Sequence, residues 1–178
     1  MRLFTAIRFS EEIKGSLTKS IAKLKELQIQ GAFPSENGLF LTLNALGETD
    51  RTAEAKVIMD RITVPQFTLT VGGFGSFKRP GGALLWEGVD RCTELLDLQR
   101  QLAVGFRTTG YKTDTAEYKP YITLAKEAKL PASFDQAGFL RTIPFLSMNV
   151  EKVSLLRCDR IDGVNNYSEI YARSLPLE

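Results

Sequence analysis

The chain has 178 residues, 43% of them hydrophobic and 25% charged, and its 23 Lys and Arg against 21 Asp and Glu leave a formal net charge of +2. That balance fits a folded globular protein and not a disordered tail, and it is too mild to drive nucleic-acid binding by bulk electrostatics. With two cysteines and no histidine, neither a disulfide framework nor a zinc site of ordinary spacing is expected, nor a cofactor; any proton transfer near neutrality would have to use groups other than imidazole.

The start, Met1 to Ile7, is apolar but short, is interrupted by Arg8 and lacks a cleavage pattern, and no later run approaches membrane-spanning length. A cytoplasmic protein is therefore expected, with Cys92 and Cys158 as buried free thiols. Residues 2–8 read as a strand. Ser10-Glu11-Glu12 reads as a helix N-cap with acidic residues in the first turn, and Ile13, Leu17, Ile21, Leu24 and Leu27 form one apolar stripe with Lys14, Lys19, Lys23 and Lys25 off it. Gly31 to Gly38 reads as a loop before a strand at Phe40 to Thr42. A second helix is expected over Asp50–Arg61, with Ala53, Val57, Ile58 and Ile62 inward and Pro65 stopping it.

Phe67, Leu69 and Val71 alternate as a strand that runs into Gly72-Gly73-Phe74-Gly75, which has neither Walker spacing nor a following Gly-Lys-Ser/Thr and so is not read as a phosphate loop. A turn at Lys78 to Gly82 returns the chain through Ala83 to Val89. Lys78 and Arg79 at its tip read first as solvated and second as a phosphate-backbone contact. Asp90 is expected to cap a third helix with Cys92, Leu95, Leu96, Leu102 and Phe106 inward, ended by Gly110. After the strand that follows Tyr118-Lys119-Pro120, Pro131 to Leu140 reads as a loop with a short helix. Two long β segments, Phe145 to Cys158 and Tyr167 to Ser174, then meet at a turn of Asp159 to Gly163.

Within this order one short pattern occurs twice, Phe40-Leu41-Thr42-Leu43 and Tyr121-Ile122-Thr123-Leu124. Strand side chains alternate between faces, so each copy buries two aliphatic residues and presents an aromatic ring and a hydroxyl on the other face. The mixture of hairpins and helices predicts an α+β fold: two helix-backed, pseudo-symmetric sheets around a central groove, with Thr42 and Thr123 facing one another. Residues 1–178 read as a single bilobal domain, because no linker separates the halves. A basic groove could be assembled from Arg8, Lys78, Arg79, Lys112, Lys119, Arg157 and Arg160.

The chain resembles the two-histidine phosphoesterases, and among them the RNA 2′,3′-cyclic phosphodiesterases, also called 2′-5′ RNA ligases. The resemblance rests on Arg2 to Ile7, Glu36-Asn37 through Leu41-Thr42-Leu43 to Leu46-Gly47-Glu48, Leu85 to Val89, Gly110-Tyr111, and Pro120 to Lys126. Members of that family carry two His-x-Thr motifs across a groove; one histidine acts as general base on water, the other as general acid on the leaving oxygen, and the threonines hold the scissile phosphate. The resemblance thus implies phosphate-binding roles for Thr42 and Thr123, with Lys126 where the family often has an arginine.

The family's histidine positions are occupied here by Phe40 and Tyr121, so no catalytic residue is assigned. Phenylalanine transfers no proton and a phenol is a poor base near neutrality. Each acid–base group is worth roughly 10²–10⁴-fold, and losses within one unit are not additive, so a deficit on the order of 10⁴-fold or more is expected. Three functions follow: a catalytically impaired relative that binds an RNA end or a phosphorylated nucleotide, a phosphodiesterase that uses Tyr121 and other non-histidine groups, or a structural or protein-interaction domain whose cleft the two rings close. No membrane partner is expected.

Overall fold

The computed structural model describes residues Met1–Glu178. The elements run β1 (Arg2–Arg8), α1 (Glu11–Glu26), β2 (Gln30–Ala32), a 3₁₀ turn (Glu36–Gly38), β3 (Phe40–Glu48), α2 (Thr52–Asp60), β4 (Phe67–Arg79), β5 (Gly82–Val89), α3 (Thr93–Thr108), β6 (Tyr121–Lys129), α4 (Gln136–Leu140), β7 (Leu146–Val150), β8 (Lys152–Ile161) and β9 (Val164–Ser174). No helix is long and apolar enough to cross a membrane.

Local signals set the helix ends. Ser10 Oγ accepts the Ile13 N–H at 3.3 Å, satisfying one free donor of the first turn of α1, where Glu11 and Glu12 also complement the helix dipole. Beyond α3, Gly110 takes a positive φ of 91°, and its N–H and that of Tyr111 close on Arg107 and Phe106, a glycine C-terminal stop.

The strands form two antiparallel sheets, ordered β3-β1-β8-β9 and β2-β6-β5-β4-β7. Apart from the short β2, the two orders match position by position: β3 answers to β6, β1 to β5, β8 to β4 and β9 to β7. Each motif strand is reached from its neighbour through a helix, α1 in one half and α3 in the other. The helices then exchange sides. α1 packs on β6 and β7 of the second sheet, joined there by α4 on β4, while α3 packs on β3 of the first sheet beside α2. Gln99 of α3 donates to Asn44 Oδ1 at 3.3 Å and Asn44 donates to Thr5 Oγ1 at 3.2 Å, fixing that crossing. One continuous cluster of buried side chains, from Leu3 and Leu41 to Leu69 and Ile122, joins both sheets.

The α+β architecture and the two helix-backed sheets agree with the sequence reading; several details do not. Gly31 and Ala32, expected at the start of a loop, belong to β2, which pairs with β6 through Gln30 with Lys129 and Ala32 with Lys126. The segment expected as one strand from Phe145 to Cys158 is divided, because β7 joins β4 in one sheet and β8 joins β1 in the other. In α2 the inward residues are Ala55, Ile58 and Met59, and Ala53 and Val57 face outward. The cap of α3 is Cys92, not Asp90, which turns Leu98 inward and leaves Leu96 half-buried. Leu27 lies past the end of α1 and is exposed, and of the two free thiols Cys158 is buried but Cys92 only half so.

Candidate functional site

Strand register places the two motifs equivalently. Ala6 lies opposite Thr42 and Arg8 opposite Phe40 on β1, while Trp86 lies opposite Thr123 and Gly88 opposite Tyr121 on β5. Residues directly opposite share a face. On the other face Leu41, Leu43, Ile122 and Leu124 are buried, as the alternation predicts, and Phe40, Thr42, Tyr121 and Thr123 are half-buried. Neither threonine hydroxyl is sealed from solvent without a partner.

The two motif strands come within 8 Å of one another, Cα to Cα, although they belong to different sheets. A direct bond ties them: Tyr118, three residues before Tyr121, donates its hydroxyl to the Thr42 carbonyl at 2.7 Å. Burial, reinforced by the neighbouring Tyr121, raises the Tyr118 phenol, which therefore stays protonated as the donor.

Around the first motif the surface is packed and ionic. The Phe40 ring meets Tyr167 edge-on at 4.9 Å, Tyr167 meets Phe4 at 6.1 Å, and the Arg2 guanidinium lies 5.5 Å over Phe4. Arg8 approaches Glu169 to 3.9 Å, and Glu169 also accepts bonds from Ser154 and from Lys152 at 3.4 Å. Burial pushes the Glu169 carboxyl up, but the Ser154 bond and the Lys152 and Arg8 charges outweigh it and hold the group below its ordinary value.

Around the second motif the surface is open and aromatic. Phe77 lies 5.3 Å edge-on to Tyr121 and 5.5 Å from Trp86. Two glycines let the chain pack closely here: a Cβ at Gly75 would fall 2.1 Å from the Trp86 indole that lies against it, and one at Gly88 would fall 2.5 Å from the Gly72 carbonyl oxygen. A cavity of about 210 Å³ beside them is lined by Phe77, Trp86, Gly88, Arg91, Lys119 and Tyr121 among others. Arg91 is paired with Glu117 at 3.0 Å, whereas Lys119 has no carboxylate within 4.0 Å. Lys126, in the irregularity of β6 between the Ala125 and Ala128 pairs, is exposed and likewise unpaired.

The seven cations named from the sequence do not gather into one basic groove. Arg8 and Lys119 stand beside the motifs, Arg157 is paired with Asp159, Arg79 lies 5.0 Å over the Phe77 ring, and Lys78, Lys112 and Arg160 are exposed. The Gly72 to Gly75 run is paired strand, with Gly72 and Gly73 bulged between the Val71 and Phe74 pairs.

Sequence reasoning missed Tyr167, Glu169, Arg91 and Glu87. The first two belong to an alternating run, Tyr167-x-Glu169-x-Tyr171, whose period was the available signal. Glu87 was visible as a lone acid in the apolar stretch Ala83 to Val89. It points away from the motif face, opposite Phe74 and Ile122, is fully buried, and has no hydrogen-bond partner on either carboxyl oxygen. Burial raises its pKa from 4.5 to about 7.

Comparison with known proteins agrees with this architecture. The 2′-5′ RNA ligase superfamily model matches residues 16–162. The RNA 2′,3′-cyclic phosphodiesterase of Thermotoga maritima is 30% identical over 141 residues, covering 76% of this chain and 75% of that protein. That of Methanothermobacter thermautotrophicus is 26% identical over 168 residues, covering 89% and 90%. Among solved structures, E. coli LigT complexed with NADP+ superposes with a TM-score of 0.82 at 25% identity, over 98% of this chain and 97% of that one. TT0787 of Thermus thermophilus gives 0.80 at 22% identity over 100% of each chain. The chain therefore belongs to the 2′-5′ RNA ligase superfamily, the two-histidine phosphoesterases that its paired strands resemble.

Proposed function

We propose that this protein is a divergent member of the RNA 2′,3′-cyclic phosphodiesterase family that binds a phosphorylated ligand, an RNA end or a nucleotide, through Thr42 and Thr123, and that its acid–base catalysis is impaired. The observation that carries the proposal is the pair of threonine hydroxyls at equivalent register positions on adjoining strands, each on a half-buried residue and neither sealed off. Lys126, exposed and unpaired, adds positive charge on the same strand as Thr123. E. coli LigT, a protein of the same fold, has been crystallised with phosphate and with 3′-AMP, and relatives of this chain are RNA 2′,3′-cyclic phosphodiesterases. Opening a cyclic phosphate requires a proton to leave the attacking water and another to reach the departing ribose oxygen. With no histidine in the chain, the two motif positions supply a phenyl ring and a phenol. The exchanged helices and the continuous core favour reading residues 1–178 as one bilobal unit.

A second reading, an active phosphodiesterase that uses Tyr121, is favoured by one feature: Tyr121 borders the open cavity together with Lys119 and Arg91. The two readings separate in a calorimetric titration with 2′,3′-cyclic AMP, comparing the unmodified chain with Thr42→Val/Thr123→Val. Hydrogen bonds to a charged group contribute about 1.5–3 kcal/mol each, so the double variant should bind at least about 10-fold more weakly. Equal affinity in the two proteins would remove the threonines from the site, and turnover lost in the variant would establish the second reading.

A further inference from the structure

We infer that Glu87 is a pH-sensitive device built into the second half: when its carboxyl ionises, the ladder around β5 opens locally and the cavity beside Tyr121 loses its order, while the first half stays folded. The inference is independent of what the groove binds. Glu87 lies on the central strand of the second sheet, paired with Phe74 of β4 and Ile122 of β6, and its neighbours in the chain, Trp86 and Gly88, both line the cavity. The residue has no exposed surface, and neither carboxyl oxygen meets a hydrogen-bond partner. An ionised carboxyl held there would lose its hydration and gain nothing in return, so the fold must either keep the proton or let water in.

No charged neighbour relieves it. Burial alone raises its pKa to about 7, with no contribution from a cation. Of the helices packed on this sheet, α1 turns Ile13, Leu17, Ser20, Ile21 and Leu24 inward, and its one half-buried charge, Lys14, is paired with Glu11 at 2.7 Å. α4 turns Phe139 inward and keeps Asp135 at its exposed cap. The charges of the flanking strands, Lys78 and Arg79 on β4 and Lys126, Glu127 and Lys129 on β6, are exposed, and β7 carries none. The ladder is irregular on both sides of Glu87. Just past its partner Phe74, β4 bulges through Gly72 and Gly73, the latter at a φ of 87°, and on the other side the β5 and β6 register shifts between Leu85 and Trp86. Bulges leave residues unpaired, so β5 can admit water there without the whole sheet unfolding.

The chain has no histidine and a single tryptophan, Trp86, so no imidazole titrates near neutrality and one side chain reports the cavity without labelling. Acrylamide quenching of Trp86 would be followed from pH 5 to pH 8 beside circular dichroism. Hydrogen exchange of the β5 amides, corrected for base catalysis, would be measured over the same range. The folded carboxyl holds its proton to about pH 7 and an exposed one only to about 4.5, so opening of β5 should rise on the order of 10²-fold across that range. Trp86 quenching should rise with it while circular dichroism stays that of the folded chain. Glu87→Gln, which cannot ionise, should hold quenching and exchange at their pH 5 values throughout.

Quenching and exchange that stay flat with pH in the unmodified chain would overturn the inference, as would an equal rise in Glu87→Gln. Circular dichroism lost in step with Trp86 would also overturn it, because the whole chain and not the second half would then be responding.

Discussion

The two halves of this molecule carry the same four-residue pattern at the same place in matching strand orders, yet their surroundings differ in kind. Phe40 is one ring of a packed line that continues through Tyr167 and Phe4 to Arg2, next to a carboxylate that three other groups contact. Tyr121 borders an open cavity that Phe77, Trp86 and Gly88 line together with the cations Arg91 and Lys119. The backbone repeat thus sets where the threonines stand, and the flanking strands decide what each neighbouring ring can do. The two motif positions therefore stand in unequal surroundings: one side is filled, the other open.

The severest challenge to this contrast is to place imidazoles at the two motif positions. Phe40→His/Tyr121→His is expected to raise hydrolysis of 2′,3′-cyclic AMP on the order of 10²-fold or more, with Tyr121→His alone accepted more readily than Phe40→His because the side chain at 121 meets open space. Rates equal to the unmodified chain in a steady-state assay would mean that the two imidazoles alone do not supply the catalytic unit.

A second effect probes the reverse side of the strand that carries Trp86. Glu87 is fully buried and its pKa is raised from 4.5 to about 7. The folded state therefore holds its proton to higher pH than the unfolded chain does. Stability from this group is at its fullest below about pH 4.5 and is lost as pH rises through about 7. By that difference, about 3 kcal/mol is at stake. Glu87→Gln should therefore raise the denaturant midpoint at pH 8 and change it much less at pH 4; an equal gain at both pH values would show that charge is not the cause.

Phe40→Ala should cost about 2 kcal/mol by opening the Tyr167 contact, and Tyr121→Ala less than about 1 kcal/mol, in urea melts at neutral pH. Reversed magnitudes would invert the assignment of filled and open sides. The smallest expected change is at the strap between the halves. Tyr118→Phe removes one hydrogen bond to the Thr42 carbonyl and should destabilise by about 1 kcal/mol, with a loss of phosphate affinity that Tyr171→Phe, on the far strand β9, does not share.

Much of this was legible in the sequence. The Thr42 and Thr123 strands, the Ser10 cap, the Gly110 stop and the hairpin around Pro80 follow from period, capping and turn chemistry, all local. The exchange of α1 and α3 between sheets was not legible, because an amphipathic stripe says that a helix is covered and not by which sheet. The break between β7 and β8 has no punctuation at Glu151 that would announce it. The difference between Phe40 and Tyr121 also escaped, since both read as rings on a groove face, and only the strands brought alongside, β9 for one and β4 with β5 for the other, distinguish them.

If phosphate recognition has outlasted proton transfer in this chain, binding and turnover must come apart in one sample. The decisive experiment titrates the unmodified chain with 2′,3′-cyclic AMP and then separates the nucleotide recovered after prolonged incubation. Saturable binding with the cyclic nucleotide recovered intact is the predicted result. Saturable binding with full conversion to the monoester would contradict it and make Tyr121 the first group to test for proton transfer, and no binding at all would remove the threonine pair from any ligand site.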